Sequence, residues 1–188
     1  EQLPDPVAVE FLVVLGGPMS ANDPDAWIAQ ERDLIRAVVT TGKPMLGVCL
    51  GAQQLAKAFG QPITPVAHEV GWGPVQATAL AQAMFGVQPE LDVLHWHGEG
   101  FTLPHDAKRL FSSPAWENQG FIYHRAVGLQ FHIETSLRTL PKIVDADQDF
   151  LTTTIFNTTS AQTQTHPLPP AHQQLLFRIL DSFMGGEN

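Results

Sequence analysis

Pro44-Met45-Leu46-Gly47-Val48-Cys49-Leu50-Gly51 decides the fold, because its pattern changes from strand to helix at the only cysteine of the chain. The run before Cys49 is short and apolar, as in a buried β-strand. Gly47 and Gly51 stand two residues either side of Cys49, so the chain can turn tightly there. After the turn, apolar residues recur at helical spacing, at Ala52, Leu55, Ala56 and Phe59. The stretch therefore predicts a strand, a sharp turn that presents Cys49, and a helix.

The position predicted for Cys49 gives its side chain a chemical role. At a helix N-terminus, unpaired N–H groups and the positive end of the helix dipole favour a thiolate over a thiol. A thiolate is a ready nucleophile. A lone cysteine is more often a small buried hydrophobic residue. Here the flanking glycines and the change from strand to helix favour the nucleophile.

A second motif, Leu129-Gln130-Phe131-His132-Ile133-Glu134, alternates apolar and polar residues with the period of two typical of a half-buried strand. Its apolar residues can enter the core while His132 and Glu134 share the opposite face. A histidine can take the proton of a thiol, and a neighbouring carboxylate can orient the imidazole and stabilise its protonated form. We predict Cys49 as the nucleophile, His132 as its base and Glu134 as the orienting group.

The order of the other elements predicts an α/β fold. The segment from Val7 to Leu15 is apolar apart from Glu10 and is predicted to be a central strand. Alternating strands and helices predict a parallel sheet with helices on both faces. Since Gly17, Cys49 and His132 all follow predicted strands, we expect them to converge beyond the carboxyl ends of those strands.

Three motifs together resemble the class I, triad-type glutamine amidotransferase domain. That family carries a Gly-Gly-Pro loop, a Gly-x-Cys-x-Gly-x-Gln elbow and a late Phe-His-x-Glu. The matching stretches occur in the same order, from Gly16 to Ser20, from Gly47 to Gln53 and from Phe131 to Glu134. The resemblance extends to about Ser136 and is to stand-alone members similar to the glutaminase part of GMP synthase. We expect a flavodoxin-like open, mostly parallel sheet with helices on both faces.

The resemblance implies a reaction and a role for each matched residue. Cys49 would attack the side-chain amide carbon of glutamine, with His132 as general base and acid and Glu134 as its orienter. Ammonia would leave and a γ-glutamyl thioester would remain. The backbone N–H groups of Gly17 and Leu50 would form the oxyanion hole, which stabilises the negative oxygen of the intermediate.

The resemblance also implies which residues hold the substrate. Gln53, one helical turn beyond the cysteine, would contact it. The segment from His95 to Glu99 aligns with the family stretch whose backbone holds the amino-acid end of glutamine. Trp96, Gly98 and Glu99 are therefore candidate pocket residues. The alternative is that Trp96 is a core aromatic residue.

A metal site is a further possibility on residue types alone. It would use His95, His97 and His124, but no zinc-type spacing supports it. The alternative, that His95 and His97 are ordinary strand-end residues, is favoured. We therefore expect no metal and no organic cofactor.

Two features depart from the family pattern. Ile133 stands between the histidine and the glutamate where proline is more frequent, and this leaves both functional side chains in place. The family usually has a first strand and helix before the Gly-Gly-Pro loop, whereas this chain reaches that loop at Gly16, so we expect them to be missing. With 188 residues and 44% hydrophobic content, residues 1–188 are expected to form a single amidotransferase-like domain.

Composition limits the partners. A formal net charge of −9 opposes binding to nucleic acid or to an anionic membrane surface. No apolar run approaches the roughly 18 residues needed to span a bilayer, and we expect no signal peptide. A single cysteine excludes an internal disulfide and is compatible with the cytoplasmic localisation that we expect. The expected partners are L-glutamine or another γ-glutamyl compound, and a synthase that accepts ammonia.

Two alternatives to a glutaminase stay open. A free-standing γ-glutamyl hydrolase or peptidase would use the same residues on another γ-glutamyl compound. A non-catalytic binding module would keep the fold without the reaction, although the ordered Cys, His and Glu disfavour it.

The last part of the chain has a different composition. Residues 152–174 are rich in Thr and Gln and contain three prolines, which predicts a surface loop that leads to a last helix. The alternative is that this stretch borders the mouth of the active site. The helix would bury Leu175, Leu176, Ile179, Leu180 and Phe183.

Overall fold

The computed structural model describes residues 3–184, which form one seven-stranded sheet with helices around it. The strands are β1 (Leu12–Val14), β2 (Met45–Val48), β3 (Ile63–Ala77), β4 (Glu90–Phe101), β5 (Lys108–Ser112), β6 (Gly120–Tyr123) and β7 (Ala126–Leu129). The helices are α1 (Ala26–Thr40), α2 (Leu50–Ala58), α3 (Ala79–Phe85), α4 (Leu140–Ala146), α5 (Ser160–Thr165) and α6 (Pro170–Met184). A 3₁₀ helix, Gln148–Thr153, lies between α4 and α5.

The sheet combines a parallel part with an antiparallel part. Its strand order is β1-β2-β7-β6-β5-β3-β4. β1, β2 and β7 are parallel neighbours, and every later pair in this order is antiparallel. Only β6 and β3 run against the direction of the other strands, so the predicted α/β class with an open, mostly parallel sheet is confirmed.

Helices cover both faces of the sheet, as predicted. On one face Met45 of β2 lies in a cluster with Ile35 of α1 and with apolar residues of α2. On the other face Leu46 and Val48 of β2 lie in a cluster with residues of α3 and α6. Successive side chains of a strand point to opposite faces, and this is why β2 is apolar throughout.

The first strand differs from its prediction. β1 covers only Leu12–Val14 and pairs with β2 alone, at one edge of the sheet that residues 3–184 form. Val7 and Leu15 are exposed. The prediction of a central strand from Val7 to Leu15 is therefore wrong, because a short apolar run does not by itself reveal how many neighbours a strand has.

Residues 152–174 also differ from the predicted loop. They contain the end of the 3₁₀ helix, all of α5 and the beginning of α6. Thr159 and Gln162 form a capping box at the start of α5. The Thr154 hydroxyl donates to the carbonyl oxygen of Val70 at 2.6 Å and accepts from its N–H at 3.1 Å, so this stretch is attached to β3. Threonine hydroxyls supply these contacts, and composition alone does not predict them.

The helices are short. The longest in residues 3–184 are α1 and α6, with 15 residues each. Within that part of the chain, no helix combines the length and the apolar character that crossing a bilayer requires.

The turn between β2 and α2 depends on a close approach of backbones. A Cβ atom added at Gly51 would lie 2.1 Å from the carbonyl oxygen of Val14, and one added at Gly47 would lie 2.6 Å from the carbonyl oxygen of Gly51. Real Cβ contacts are not found below 3.0 Å. Only glycine at both positions therefore lets the first turn of α2 pack directly against the ends of β1 and β2.

Gly51→Ala should destabilise the fold although alanine is the better helix former. We expect the free energy of unfolding to fall by about 2 kcal/mol or more, because the new methyl group meets backbone atoms that cannot move independently. Urea denaturation measures this change. The matched control is Gly17→Ala, whose methyl group would meet only side-chain atoms of Met19 and Leu50, at 3.1 and 3.3 Å. Equal denaturation midpoints for the two variants would refute the packing argument.

Candidate active site

Cys49 lies at the sharp turn that the sequence predicts. It is the N-cap residue of α2 and has φ 52° and ψ −109°, a positive φ that is costly for any residue with a Cβ. Its N–H donates to the carbonyl oxygen of Leu129 at 2.7 Å, which fixes the turn to the end of β7. The side chain is largely buried, with 7% of the residue exposed. The turn therefore fixes the backbone of Cys49 between the ends of β2 and β7.

His132 is fixed from two sides. Its N–H donates to the carbonyl oxygen of Leu94 at 2.8 Å, so β4 holds the backbone just after β7. Its Nδ1 lies 2.7 Å from Oε1 of Glu134. The second carboxylate oxygen of Glu134 accepts the N–H of Ile133 at 2.9 Å. The carboxylate thus orients the imidazole through Nδ1 and leaves Nε2 to face another group.

Gly16 lies between the histidine and the cysteine. A Cβ atom added at Gly16 would be 2.9 Å from Cε1 of His132 and 3.3 Å from Cβ of Cys49. A side chain there would displace the ring, so glycine is required for His132 to lie this close to the Gly16 loop and to Cys49. The Gly-Gly-Pro motif identified this loop from the sequence, but a role was predicted there for Gly17 and not for Gly16.

His132 and Glu134 each stabilise the charged form of the other. Burial lowers the pKa of His132, but the Glu134 charge, hydrogen bonds to Cys49 and Glu134, and the Cys49 charge together raise it well above 6.5. Burial raises the pKa of Glu134, but the charge and hydrogen bond of His132, with backbone N–H groups, bring it below 4.5. The arrangement therefore favours an imidazolium ion held against a carboxylate.

A first cavity of about 320 Å³ opens beside Cys49 and is bordered by polar groups. The side-chain amide of Gln53 donates to the backbone oxygen of Glu99 at 3.2 Å. The carboxylate of Glu99 accepts the Ser20 hydroxyl at 2.8 Å. Gly98 and Trp96 complete this wall, and the backbone oxygen of Trp96 lies 3.7 Å from the sulfur of Cys49. Trp96 is half-buried and borders the cavity, so it is not only a core residue.

The two backbone N–H groups predicted for an oxyanion hole border the same cavity. Gly17 and Leu50 are neighbours, since a Cβ atom added at Gly17 would lie 3.3 Å from Cδ2 of Leu50. Leu50 is the first residue of α2, where N–H groups lack partners inside the helix. Within residues 3–184, neither N–H donates to a protein acceptor.

A second cavity of about 500 Å³ also borders Cys49. It is bordered by the loop that contains Leu15, by His132 and Glu134, and by Ile143 of α4. Cys49, Gly17 and Trp96 border both cavities, so the two cavities meet at Cys49. All the site residues predicted from the sequence border one cavity or the other.

Gln130 is a residue of this region that sequence reasoning left without a role. It is fully buried, its Nε2 lies 3.8 Å from the sulfur of Cys49, and its Oε1 accepts the Gln53 amide at 3.4 Å. Its position two residues before His132 in the alternating motif is the sequence feature that could have identified it.

A buried polar cluster lies behind the first cavity. It consists of Glu69, His95 and His97, whose possible ligand atoms lie within 4.8 Å of one another. His124, the third member of the metal set considered from the sequence, lies instead in the exposed turn between β6 and β7. A side-chain N–H of Gln119 already donates to Glu69 at 2.5 Å and lies 3.4 Å from Nε2 of His97.

Burial favours the neutral form of each member of this cluster. It lowers the pKa of His95 to about 3 and that of His97 well below 6.5. It also raises the pKa of Glu69 above 4.5, although hydrogen bonds from Ser113 and Gln119 act in the opposite direction. Both ring nitrogens of His95, Nδ1 of His97 and Oε1 of Glu69 have no hydrogen-bond partner within residues 3–184, so the cluster packs neutral polar groups between β3 and β4 without joining them in a network.

Known proteins are similar to this chain both in sequence and in fold. The family model described as glutamine amidotransferase class-I matches residues 3–147. The chain is 32% identical over 165 residues to the glutamine amidotransferase-like protein YfeJ of Salmonella typhimurium, covering 80% of this chain and 68% of YfeJ. It is 30% identical over 135 residues to a glutamine-hydrolysing GMP synthase of Thermomicrobium roseum, covering 71% of this chain but only 25% of that synthase.

Solved structures agree with this relationship. A glutamine amidotransferase from Thermotoga maritima superposes with a TM-score of 0.87 at 32% identity, over 99% of this chain and 83% of the other. One from Methylobacillus flagellatus gives a TM-score of 0.90 at 26% identity, over 100% and 81%. The sequence match, the shared fold and the ordered motifs around Cys49 show that this chain belongs to the class I glutamine amidotransferase family.

Proposed function

We propose that this protein hydrolyses the side-chain amide of L-glutamine through a thioester on Cys49 and releases ammonia and glutamate. The observation that carries the proposal is that Cys49, at a strained turn, borders the same cavity as the His132–Glu134 pair and contributes a hydrogen bond and a charge that raise the pKa of His132. Nucleophile, base and orienting carboxylate are the three groups that cysteine-dependent amide hydrolysis requires. Family membership supports the choice of glutamine.

The first half of the reaction forms the thioester. The Cys49 thiolate attacks the amide carbon, so a carbon–sulfur bond forms and the carbonyl electrons move onto oxygen. The imidazolium of His132 then gives its proton to the amide nitrogen. The carbon–nitrogen bond breaks, ammonia leaves, and His132 is left as neutral imidazole. The raised pKa of His132 suits this step, because it keeps the proton available for the leaving group.

The second half uses His132 as a base. Acylation neutralises Cys49 and so removes both the charge and the hydrogen bond through which that residue raises the pKa of His132. The imidazole can then take a proton from water as the water attacks the thioester. The carbon–sulfur bond breaks, glutamate is released, and the proton returns to the Cys49–His132 pair.

The N–H groups of Gly17 and Leu50 are proposed to bind the negatively charged oxygen of both intermediates. Their supporting features are their position at the first cavity and the absence of a protein acceptor for either group within residues 3–184. One donor of this kind contributes about 3 kcal/mol to stabilisation of the transition state.

The first cavity is proposed to hold the amino-acid end of glutamine. The Glu99 carboxylate suits the α-ammonium group of the substrate, and the Ser20 hydroxyl that it accepts keeps it in position. Gln53 is proposed to contact the substrate from α2. Its bond to the backbone oxygen of Glu99 shows how α2 and β4 are fixed relative to each other at this cavity.

We further propose that residues 1–188 act as one glutaminase-like domain that supplies ammonia to a synthase. Support comes from GMP synthases, of which the chain matches only about a quarter. The synthase would be a separate partner or another part of the same polypeptide.

Cys49→Ala should abolish turnover. We expect kcat/KM for release of ammonia and glutamate from L-glutamine to fall by about 10⁴-fold or more, since no other cysteine can replace the nucleophile. Ser182→Ala, which removes a hydroxyl bonded within α6, is the control and should keep full activity. Labelling of Cys49 by a γ-glutamyl electrophile should follow the same pattern. Turnover that persists in Cys49→Ala contradicts the proposal. If the wild-type protein does not turn over glutamine and its Cys49 is not labelled, the non-catalytic binding module is favoured.

Glu134→Gln should change the pH dependence as well as the rate. Without the carboxylate, the His132 imidazolium loses its main electrostatic support and its pKa falls. The loss of kcat/KM on the alkaline side, where the imidazolium gives up its proton, should therefore begin at lower pH than in the wild type. We expect kcat to fall by about 10²- to 10⁴-fold as the ring loses its orientation.

The matched control for this variant is Glu117→Gln. Glu117 is exposed and pairs with Arg109, so the same change of side chain should leave the pH profile as in the wild type. An alkaline side that does not move in Glu134→Gln would show that Glu134 does not act through His132.

A further inference from the structure

The two cavities that meet at Cys49 differ in character. The first is bordered by hydrogen-bonding groups such as Ser20, Gln53 and Glu99. The second has largely apolar walls, to which Leu15, Ile143 and Ala146 contribute. Its volume of about 500 Å³ exceeds the 320 Å³ of the first and is far more than ammonia would occupy.

The position of His132 determines which cavity receives the leaving group. His132 and Glu134 border the second cavity and not the first. In the proposed reaction the imidazolium gives its proton to the amide nitrogen, and proton transfer requires hydrogen-bond distance. The departing nitrogen must therefore face His132, and any substituent on that nitrogen extends into the second cavity.

The walls of this cavity suit an apolar substituent. Leu15 contributes a large apolar side chain, of which 53% is left exposed by the rest of residues 3–184. Ile143 and Ala146, on α4, add further apolar surface. At the rim, Lys142 is exposed and forms no ion pair within residues 3–184, so it can face a carboxylate.

We propose that the second cavity is a leaving-group subsite, which binds the amine part of γ-glutamyl amides and selects γ-glutamyl derivatives of apolar amino acids. The inference rests on the proposed function, because it uses the same thioester chemistry. The bonds that form and break are those described for glutamine. The nitrogen that accepts the His132 proton carries an amino acid, which leaves as the free amine in place of ammonia.

Three substrates test the subsite. L-Glutamine has no substituent on the amide nitrogen, γ-glutamylglycine adds a carboxylate without a side chain, and γ-glutamyl-leucine adds the isobutyl group. We expect kcat/KM for γ-glutamyl-leucine to exceed that for γ-glutamylglycine by about 10-fold or more, as expected for an apolar group bound in an apolar pocket. Equal values, or a preference for L-glutamine over both peptides, would overturn the proposal.

Two variants test whether the preference for leucine over glycine depends on the second cavity. Ala146→Trp fills the cavity from its exposed α4 wall and should remove the leucine-to-glycine preference. Ala161→Trp places the same side chain at an exposed position of α5 that borders neither cavity and should preserve the preference. A preference that survives in Ala146→Trp would show that the second cavity does not bind the leaving group.

Binding to the Cys49→Ala protein separates this inference from the proposed function. Calorimetry should give a Kd for γ-glutamyl-leucine about 10-fold or more below that for γ-glutamylglycine, and the Ala146→Trp change should remove the difference. This result without Cys49-dependent turnover in the wild type would support binding of the amino-acid part in the second cavity but refute the thioester reaction, and with it the leaving-group role. Equal Kd values together with Cys49-dependent glutamine turnover would refute the subsite and leave the glutaminase intact.

Discussion

The contact between Gly51 of α2 and the carbonyl group of Val14 is the constraint on which the site depends. Because two backbones touch there without a side chain between them, the first turn of α2 lies directly at the ends of β1 and β2. The same closeness forces the chain to reverse within one residue, and Cys49 takes the positive φ that results. Its N–H reaches β7, the strand that leads to His132. One close approach of backbones thus fixes Cys49 and connects its turn to the strand that leads to His132, the residue proposed as its base.

Burial alone does not decide the charge of a histidine in this protein. His132 and His95 are both buried, but the pKa of the first is raised and that of the second is lowered to about 3. The difference lies in their partners. Glu134 lies 2.7 Å from His132, whereas the carboxylate nearest to His95 is 4.0 Å away, on the buried Glu69. A carboxylate at hydrogen-bond distance overcomes the cost of burying the imidazolium, and a more distant one does not.

Sequence patterns predicted the elements whose signals are local. The apolar run before Cys49, the two glycines and the helical spacing after them predicted β2, the turn and α2 with nearly correct bounds. The alternation from Leu129 to Glu134 predicted a half-buried strand, but β7 ends at Leu129 and His132 forms only an isolated bridge with Leu94, so that prediction is wrong, although His132 and Glu134 do lie together. Patterns could not show that β1 lies at an edge, because strand order depends on contacts between distant segments. For the same reason they could not show that Glu69, 26 residues before His95, joins it in the core or that α4 forms a wall of the site.

The backbone conformation of Cys49 sets stability against chemistry at one position. A residue with a Cβ pays about 1–3 kcal/mol to hold a positive φ, whereas glycine adopts it freely. The fold would therefore gain from glycine at position 49, the substitution that removes the thiol. Cysteine therefore holds this backbone conformation at a cost in stability, and the reaction proposed for its thiol is what would offset that cost.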